Sequence, residues 1–402
     1  MSSRFRQALH TWRIDGQLTP ERALLLAAVS VPSDHVNEQG RAAIAHPNFR
    51  WDVLLEFAEA QNVRPLLARF LDGLESAAIP AEVRATLSQA LRHNAFRNLQ
   101  MAGELITLKN LFAANGLNAI PFKGPTLAVL AYGDLSWREF GDLDILLPRK
   151  DLFAAGELML ARAYEPFFPL ASLHNSAFLN ICNELSFQHP HKELLVELHW
   201  ELSPRLFRFA LDWQEIQTDL TPVSLAGKPL HTFSLPLLLL YLCAHGARHS
   251  WASLGWIADV AWLIARHPQL DWAETLRLAN KTQHERVLGL GLWLASELLG
   301  ATLPPEIEQR LRADQTAEQL ALQIARWLIV ADATEPGTLE RNWFFLQLRE
   351  SLRSKASYLV NQFIAPNGAD WEFMQLPAHL SFLYPAVHSV RLLKEYLPSF
   401  KS

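Results

Sequence analysis

Residues 122–147 read FKGPTLAVLAYGDLSWREFGDLDILL and connect two short apolar runs through a helical piece. The first run, Asn118–Phe122, lies between two glycines, and the second, Asp142–Leu147, is closed by a proline. Each run has the length and composition of a short buried strand. The residues between them, Pro125–Tyr132, are expected to be helical. Helix and strand are thus mixed here, which indicates a small α/β or α+β core.

Two further strands are predicted downstream, Glu184–Gln188 and Glu193–Trp200. They are separated by the sequence His-Pro-His-Lys at 189–192, which suits a tight hairpin turn. His189 and His191 are therefore expected to be turn residues. The two strands extend the predicted core toward residue 233.

Helical periodicity dominates on both sides of this core. We expect an α+β fold in which a small mixed sheet, residues 117–233, is flanked by an N-terminal helical region, 1–116, and a C-terminal helical domain, 234–402. The chain as a whole is expected to be predominantly helical. The predicted helices are Pro20–Ser30, Phe49–Ala60, Val63–Leu74, Pro80–Ala114, Arg149–Ala163, Leu235–Arg248, Leu254–Arg266, Trp272–Lys281, Glu285–Leu299, Pro305–Arg312, Thr316–Ala333, Trp343–Ile364 and Ala386–Tyr396.

The composition is that of a folded protein without a strong charge bias. Of the 402 residues, 50% are apolar and 19% are charged, so the chain can bury a large core. The formal net charge of −5 and the absence of a basic run do not favour non-specific nucleic-acid binding. Two cysteines are too few for a disulfide framework or a four-cysteine zinc site.

The sequence predicts a cytoplasmic protein without a membrane anchor. The N-terminus has no apolar signal-peptide core. The longest apolar run, Leu235–Ala244, is about half of the ~20 residues that a membrane-spanning helix needs. We expect this run to form a buried helix.

Asp142 and Asp144 are two residues apart, so a strand places both carboxylates on one face. Leu143 and Ile145 then point to the opposite face, into the core. Two like charges on one face repel each other, and burial increases this repulsion. A divalent cation such as Mg²⁺ or Mn²⁺ would remove the conflict, because hard cations prefer carboxylate oxygens. The pair alone fits a solvated strand edge equally well.

The neighbouring residues favour a phosphate-binding site. Lys123-Gly124 follows the first strand and begins a helix, which brings a cation and free backbone N–H groups together. Arg138, four residues before Asp142, is a second cation for phosphate oxygens. Gly141 allows an unusual backbone angle or the close approach of a ligand.

Glu197 is the expected third carboxylate. It lies among apolar residues in the strand Glu193–Trp200, where a lone carboxylate is costly without a partner. His199 and Glu201 share its face if the strand continues. Glu193 is a rival third carboxylate, although it is closer to the turn.

These residues together resemble the nucleotidyltransferase superfamily of the DNA polymerase β type, and more closely a family of uncharacterised nucleotidyltransferases from bacterial biosynthetic gene clusters. The resemblance is specific over Asn118–Trp200 and looser over Leu235–Ile264. The motifs that carry it are Lys123-Gly124, Arg138, Asp142/Asp144, Glu197-Leu198-His199-Trp200, His245-Gly246-x-x-His249 and Trp256-Ile257-x-Asp259.

The resemblance implies transfer of a nucleoside monophosphate from a nucleoside triphosphate, such as ATP, to a hydroxyl group, with release of pyrophosphate. It implies that Asp142, Asp144 and Glu197 are catalytic and hold Mg²⁺ or Mn²⁺. The residues implied in nucleotide binding are Lys123, Gly124, Thr126, Arg138 and Gly141. One departure from the superfamily is Gly124-Pro125, where a Gly-Ser or Gly-Gly pair is usual; Thr126 is the expected source of the missing hydroxyl.

The acceptor is expected to be a small molecule, because the net negative charge argues mildly against RNA. Candidate acceptor-binding residues are His199, His245, Arg248 and His249. Ordinary helix surface and a zinc site are alternative roles for the two histidines of the later helix. Transfer to RNA or protein, and a scaffold that binds nucleotide without turnover, remain alternative functions.

Overall fold

The computed structural model describes residues 3–74, 78–204, 207, 209–330 and 336–396. The described part is mostly helical, with one five-stranded sheet and one separate hairpin. The helices are α1 Ser3–Ile14, α2 Pro20–Val29, α3 Asp34–Ile44, α4 Trp51–Ala60, α5 Arg64–Gly73, α6 Ala81–Ala114, α7 Gly124–Leu127, α8 Leu152–Ala161, α9 Ser176–Ile181, α10 Trp213–Thr218, α11 Leu235–Arg248, α12 Leu254–Arg266, α13 Trp272–Thr282, α14 Glu285–Leu299, α15 Pro305–Ala313, α16 Gln315–Ile329, α17 Thr338–Gln347, α18 Leu352–Ile364, α19 Gly368–Phe373 and α20 Tyr384–Tyr396.

The five-stranded sheet has the order β1-β2-β5-β4-β3 and is mixed. Strand β2 pairs in parallel with β5, and the other neighbours are antiparallel. Strands β6 and β7 form the separate hairpin. The strands are β1 Ile120–Pro121, β2 Asp142–Leu146, β3 Glu165–Pro166, β4 Glu184–His189, β5 Leu194–His199, β6 Leu220–Leu225 and β7 Lys228–Phe233.

The predicted α+β class with a predominantly helical chain is confirmed. Helices α11, α12 and α14 have the predicted bounds, because apolar periodicity and the flanking breakers define them locally. The predicted helix Trp343–Ile364 is instead two helices, α17 and α18. They are separated where Ser351 caps α18 by exchanging hydrogen bonds with Ser354. The last three residues of the predicted helix Thr316–Ala333 lie outside the described residues.

Strand β3 and the β6–β7 hairpin are not among the predicted elements. The hairpin turn consists of Ala226 and Gly227, both with positive φ (48° and 76°). This is the geometry of a two-residue turn that matches strand twist. The Gly at 227 between alternating apolar residues was the available signal. A turn does join β4 and β5 near the predicted position, but it spans 190–193, so Glu193, at φ 48°, belongs to the turn and not to the predicted strand.

Long helices on both sides of the sheet enclose the acidic strand β2. Helix α6 precedes the sheet in the chain, and α11 and α12 follow it. Buried residues from all of these elements form one continuous hydrophobic core. In the part of the chain that the structure describes, no helix has both the length and the apolar character needed to cross a bilayer.

Helix α6 also fixes the loop that leads into β2. The side-chain amide of Asn98 donates to the carbonyl oxygens of Leu135 (2.6 Å) and Arg138 (2.8 Å). Asn94, one turn earlier, donates to the carbonyl oxygens of Ser136 and Arg138. Both asparagines are buried. These bonds satisfy loop carbonyls that would otherwise be costly to bury, and they hold the backbone of Arg138 in place.

Candidate active site

The acidic residues lie on two neighbouring parallel strands. Asp144 of β2 is in register with Glu197 of β5, so their side chains lie side by side on one face. Asp142 lies two residues earlier on the same strand and face. His199, two residues after Glu197, belongs to this face as well. Leu143 and Ile145, on the opposite face, are fully buried, as the two-residue period of a strand requires.

Asp144 has no exposed side-chain surface and is held by two cationic groups. Its Oδ1 atom lies 2.7 Å from the ammonium of Lys123 and 3.1 Å from Nε2 of His199. The same Nε2 atom lies 3.3 Å from Glu197, and Nδ1 lies 3.1 Å from Glu184 of β4. The other oxygen of Asp144, Oδ2, is buried and has no hydrogen-bond partner.

The two aspartates have opposite pKa shifts because their partners differ. Burial, together with the charge of Asp144, raises the pKa of Asp142 to about 6. Burial also opposes ionisation of Asp144, but Lys123 and His199 outweigh it and hold its pKa well below the usual range. Burial disfavours the cationic form of His199. The neighbouring carboxylates Glu184, Asp144 and Glu197 outweigh this effect and raise its pKa to about 10. Asp144 is therefore a carboxylate, and His199 an imidazolium, at neutral pH.

Asp144, Glu197 and His199 form a group with the ligand types of a divalent-cation site. One ligand atom from each residue lies within 4.8 Å of the others. The orphaned Oδ2 atom of Asp144 is a further free ligand position. Asp142 lies outside this group of three but influences its charge, since Asp144 and Glu197 both raise its pKa. The carboxylates of this group suit Mg²⁺ or Mn²⁺, whereas His199 would have to lose its proton before it could ligate a metal ion.

Arg138 is buried and bound by a carboxylate from α12. Its Nε and Nη2 atoms lie 2.9 and 3.0 Å from Oδ1 and Oδ2 of Asp259, a bidentate pair. The hydroxyl of Tyr132 also donates to Asp259 (2.9 Å). The third nitrogen, Nη1, is buried without a hydrogen-bond partner. Arg138 is thus fixed in position, with one donor still available.

A cavity of about 1140 Å³ opens beside the acidic face. Asp144 itself is fully buried and does not line the cavity, but its partners Lys123 and His199 do. Several predicted site residues line the cavity: Lys123, Arg138, Gly141, Asp142, Glu197, His199, His245, Arg248 and His249. The cavity is therefore built from the sheet core and from helices on both sides of it.

Thr126 is the exception among the predicted nucleotide-binding residues. It is fully buried, and its hydroxyl donates to the carbonyl oxygen of Lys123 (2.9 Å). In this structure the hydroxyl fixes the loop backbone, and its contact with a nucleotide stays a prediction. The strand β5 also ends at His199, so Glu201 is outside it and pairs instead with Arg149 (2.7 Å).

The two site glycines differ in backbone conformation. Gly124 has φ +49°, and a Cβ atom there would lie 3.0 Å from the carbonyl oxygen of Asp142. Gly141 does not have a positive φ, and a Cβ atom there would meet open space. The unusual backbone angle expected at Gly141 is therefore found at Gly124, where β2 and the loop approach each other closely.

Replacing Gly124 by Ala is expected to destabilise the protein by about 1–3 kcal/mol, because the left-handed backbone and the close carbonyl both penalise a Cβ atom. Urea unfolding measures this free energy. Gly103→Ala is the matched control, since Gly103 lies exposed within α6 with open space around it. This control should stabilise the protein by about 0.5–1 kcal/mol. Equal stability of the Gly124→Ala variant and the wild type would contradict the prediction.

Aromatic rings from α11 and α12 form part of the cavity wall. The rings of His245 and His249 have centroids 4.8 Å apart, and each lies 5.3 Å from the ring of Trp256. Burial, with nearby Arg248, lowers the pKa of His249 to about 4, and burial lowers the pKa of His245 well below its usual value. Both imidazoles are therefore neutral at pH 7. They present polar nitrogen atoms and ring faces to the cavity rather than charge.

Some cavity residues had no clear signal in the sequence. Helix α6 contributes His93, Phe96 and Arg97, although it precedes the sheet by many residues. Glu184 of β4 was not recognised as a partner of His199. The sequence did contain a signal for this residue, because Glu184 alternates with buried residues along β4. The role of Asp259 as the partner of Arg138 also depends on packing, because 121 residues separate the two.

The comparisons with known proteins point to one family. A family model described as "Uncharacterised nucleotidyltransferase" matches residues 47–300, which is more than half of the chain and includes every predicted site residue. No curated protein and no solved structure has a significant match to the chain. The matched range contains the sheet, the acidic face and the helices α5, α6, α11 and α12, which contribute residues to the cavity. The chain therefore belongs to the uncharacterised nucleotidyltransferase family.

Proposed function

We propose that the protein is a Mg²⁺- or Mn²⁺-dependent nucleotidyltransferase of the DNA polymerase β type. It transfers a nucleoside monophosphate from a nucleoside triphosphate to a hydroxyl of a small-molecule acceptor and releases pyrophosphate. The observation that carries the proposal is the register of Asp144 with Glu197 on parallel strands, with Asp142 on the same face beside the cavity. Three carboxylates gathered in this way are costly without a cation.

Asp142, Asp144 and Glu197 are the proposed metal ligands, and His199, as a cation, is their charge-balancing neighbour. When bound, the metal ions would draw negative charge from the triphosphate and stabilise the charge that builds on pyrophosphate. In the described structure, Lys123 and His199 supply the positive charge that balances Asp144. Release of Lys123 from Asp144 upon metal binding would free its ammonium for a phosphate oxygen.

Lys123, Arg138, Gly124 and Gly141 form the proposed donor-phosphate site. Lys123 lies at the cavity wall next to the acidic face. Arg138 is held by Asp259 and keeps the buried Nη1 atom free, which suits a fixed donor to a phosphate oxygen. Gly141 leaves room for the phosphate chain, because open space lies where a side chain would be.

The reaction is an in-line displacement at the α-phosphorus. The acceptor hydroxyl oxygen forms a bond to the α-phosphorus, and the bond from that phosphorus to the bridging oxygen of pyrophosphate breaks. Glu197 accepts the hydroxyl proton. The leaving pyrophosphate takes the electron pair of the broken bond, with Lys123 and Arg138 beside its oxygens.

The flanking helices supply the acceptor wall in this proposal. The division into residues 1–116, 117–233 and 234–402 assigns metal and phosphate binding to the middle part and the acceptor to the helices around it. The cavity of about 1140 Å³ exceeds the roughly 300–1,000 Å³ of a typical small-molecule site. It therefore has room for donor and acceptor together.

The direct test is to titrate the protein with each of four nucleoside triphosphates, with and without Mg²⁺, and to measure pyrophosphate release with mixed hydroxyl acceptors. Metal-dependent nucleotide binding and acceptor-dependent pyrophosphate release are expected. Binding without release under all acceptors would indicate the non-catalytic scaffold. Release that requires RNA or a protein would indicate a macromolecular acceptor. The absence of metal-dependent nucleotide binding would refute the proposal.

Replacing His249 by Ala is expected to raise the acceptor KM or lower kcat about tenfold, because one ring and its polar nitrogen leave the acceptor wall. The Kd of the Mg²⁺–nucleotide complex should be unchanged. His231→Ala, at an exposed position on β7, is the control. If His249→Ala retains wild-type acceptor kinetics, His249 is ordinary helix surface.

A further inference from the structure

One face of α6 lies along the cavity, and most of its side chains there are exposed. Six residues on this face are cavity-lining and follow the three- and four-residue spacing of a helix. They span about 16 Å of helix axis. These residues, the α6 stripe, are Thr86, Gln89, Ala90, His93, Phe96 and Arg97.

The α6 stripe has the exposure of a binding surface rather than of a core face. Phe96 is 64% exposed, although the adjoining face of α6 packs into the hydrophobic core through Met101 and Leu105. His93 is exposed next to it. An exposed aromatic ring that lines a cavity offers apolar area for a planar or apolar ligand group.

Six Lys and Arg side chains line the cavity. Arg92 donates to the hydroxyl of Ser88 (2.7 Å), and the other five divide into two kinds. Three are already neutralised by carboxylates: Lys123 by Asp144, Arg138 by Asp259 and Arg64 by Glu139. Arg97 of the α6 stripe and Arg248 of α11 form no ion pair or hydrogen bond with any residue that the structure describes. Both side chains are partly buried. Arg97 influences Glu139 electrostatically, but Glu139 is bonded to Arg64 at 2.9 Å.

Two partly buried guanidinium groups without partners are stabilised more by an anionic ligand than by a neutral hydroxyl compound. The proposed donor phosphates already have Lys123 and Arg138. The chain carries a net charge of −5, so unpaired cations that line one cavity are not explained by a general positive charge. They indicate a second anionic ligand.

We propose that the acceptor is a small molecule with an acidic group, a carboxylate or a phosphate, and a planar or apolar portion. Arg97, supported by Arg248, binds the acidic group, and Phe96 contacts the planar or apolar portion. This inference rests on the proposed nucleotidyl transfer and names the class of its acceptor. It also assigns α6 to substrate binding.

Isothermal titration calorimetry of the full-length protein, with and without Mg²⁺ and nucleotide, tests the inference with three probes. Phenyl phosphate and benzoate each combine a ring with one type of anion, and benzyl alcohol is the neutral counterpart. At least one anionic probe is expected to bind, whereas benzyl alcohol binds at least tenfold more weakly. Comparison of the two anions distinguishes a phosphate from a carboxylate acceptor.

Arg97→Gln should weaken binding of the anionic probe about tenfold or more, since a charged hydrogen bond is lost. It should leave the Kd of the Mg²⁺–nucleotide complex within twofold of the wild type. Arg97→Lys should retain part of the probe affinity. Arg41→Gln, on α3 and outside the cavity, is the control and should have wild-type probe affinity. Thermal unfolding confirms that each variant is folded.

Several results would overturn the inference. They are the absence of probe binding to the wild type, equal binding of benzyl alcohol, and an Arg97→Gln variant with unchanged probe affinity. Loss of nucleotide affinity in Arg97→Gln would place Arg97 in the donor site instead. If the wild type binds an anionic probe but no Mg²⁺–nucleotide, the proposed nucleotidyl transfer fails and its acceptor class fails with it. If it binds Mg²⁺–nucleotide but no probe, only the acceptor class fails.

Discussion

Asp142→Asn and Asp144→Asn are both expected to reduce nucleotidyl transfer by about 10²–10³-fold or more, but to change the stability of the metal-free protein in opposite directions. Each substitution removes a carboxylate that would hold a metal ion. The metal ion would stabilise the negative charge on the reacting phosphates. Asp142 has a raised pKa, whereas Asp144 has a lowered one. The sequence alone predicts the same relief of repulsion for both substitutions. The two substitutions are expected to differ in stability because Asp144 forms an ion pair with Lys123.

Asp142→Asn should leave the metal-free protein equally stable or more stable. The folded-state pKa of about 6, against an ordinary 3.8, means that ionised Asp142 destabilises the fold. This cost grows as the pH rises from about 4 to 6 and is complete above that, at up to about 3 kcal/mol. The variant should therefore gain stability over the wild type above pH 6 and lose this advantage near pH 4. The charged groups that act on Asp142 are Asp144, Lys123, Glu197 and Arg138.

Asp144→Asn should destabilise the metal-free protein by about 3–5 kcal/mol, because Lys123 and His199 keep buried positive charge without their shared anion. Urea unfolding in the presence of a chelator, at several pH values, measures both variants. Pyrophosphate release measures their activity. Equal destabilisation by the two substitutions would contradict the assignment of Lys123 to Asp144. Retained activity in either variant would contradict the proposed metal site.

Asp259→Ala is expected to destabilise the protein by about 3–5 kcal/mol and to reduce transfer as well. The substitution leaves the buried Arg138 guanidinium without a counter-ion and removes the acceptor of the Tyr132 hydroxyl. Arg138 would then be free to leave its position at the cavity. Glu308→Ala, which removes an exposed pair with Arg312, is the control and should cost at most about 0.5 kcal/mol.

A double variant separates the structural effect from the catalytic one. Replacing Arg138 by Met together with Asp259 by Leu removes both charges and should recover most of the lost stability. It should not recover activity, because the phosphate-facing donor is absent. Recovery of wild-type kcat and KM would show that Arg138 is purely structural. Wild-type stability of Asp259→Ala would show that the Arg138–Asp259 pair is unimportant for the fold.

Helices and short strands of this protein differ in how far their local sequence specifies them, for a physical reason. Helices α11, α12 and α14 were predicted to the residue, because their apolar periods and breakers act within a few residues. The two-residue β1 and β3 are defined mainly by pairing with a neighbour, and β3 was not predicted. Their assignment depends on hydrogen bonds to residues distant in the sequence.

The D-x-D pair belongs to what the sequence determined by itself. The two-residue period of a strand places Asp142 and Asp144 on one face whatever surrounds them. The apolar context of Glu197 likewise marked it as a carboxylate that needs a partner. Gly124 next to Lys123 was recognisable, although its left-handed backbone was expected at Gly141 instead.

Only the tertiary structure decided how these local features meet. The parallel register that sets Asp144 beside Glu197, the pairing of Arg138 with Asp259, and the approach of the α6 stripe all join segments far apart in the chain. A local period specifies which way a side chain points, but it carries no information about which distant segment packs opposite. That choice depends on burying apolar area and pairing buried charges across the whole molecule. The resulting packing makes two acidic strands one wall of a cavity whose other walls are helices that precede and follow the sheet in the chain.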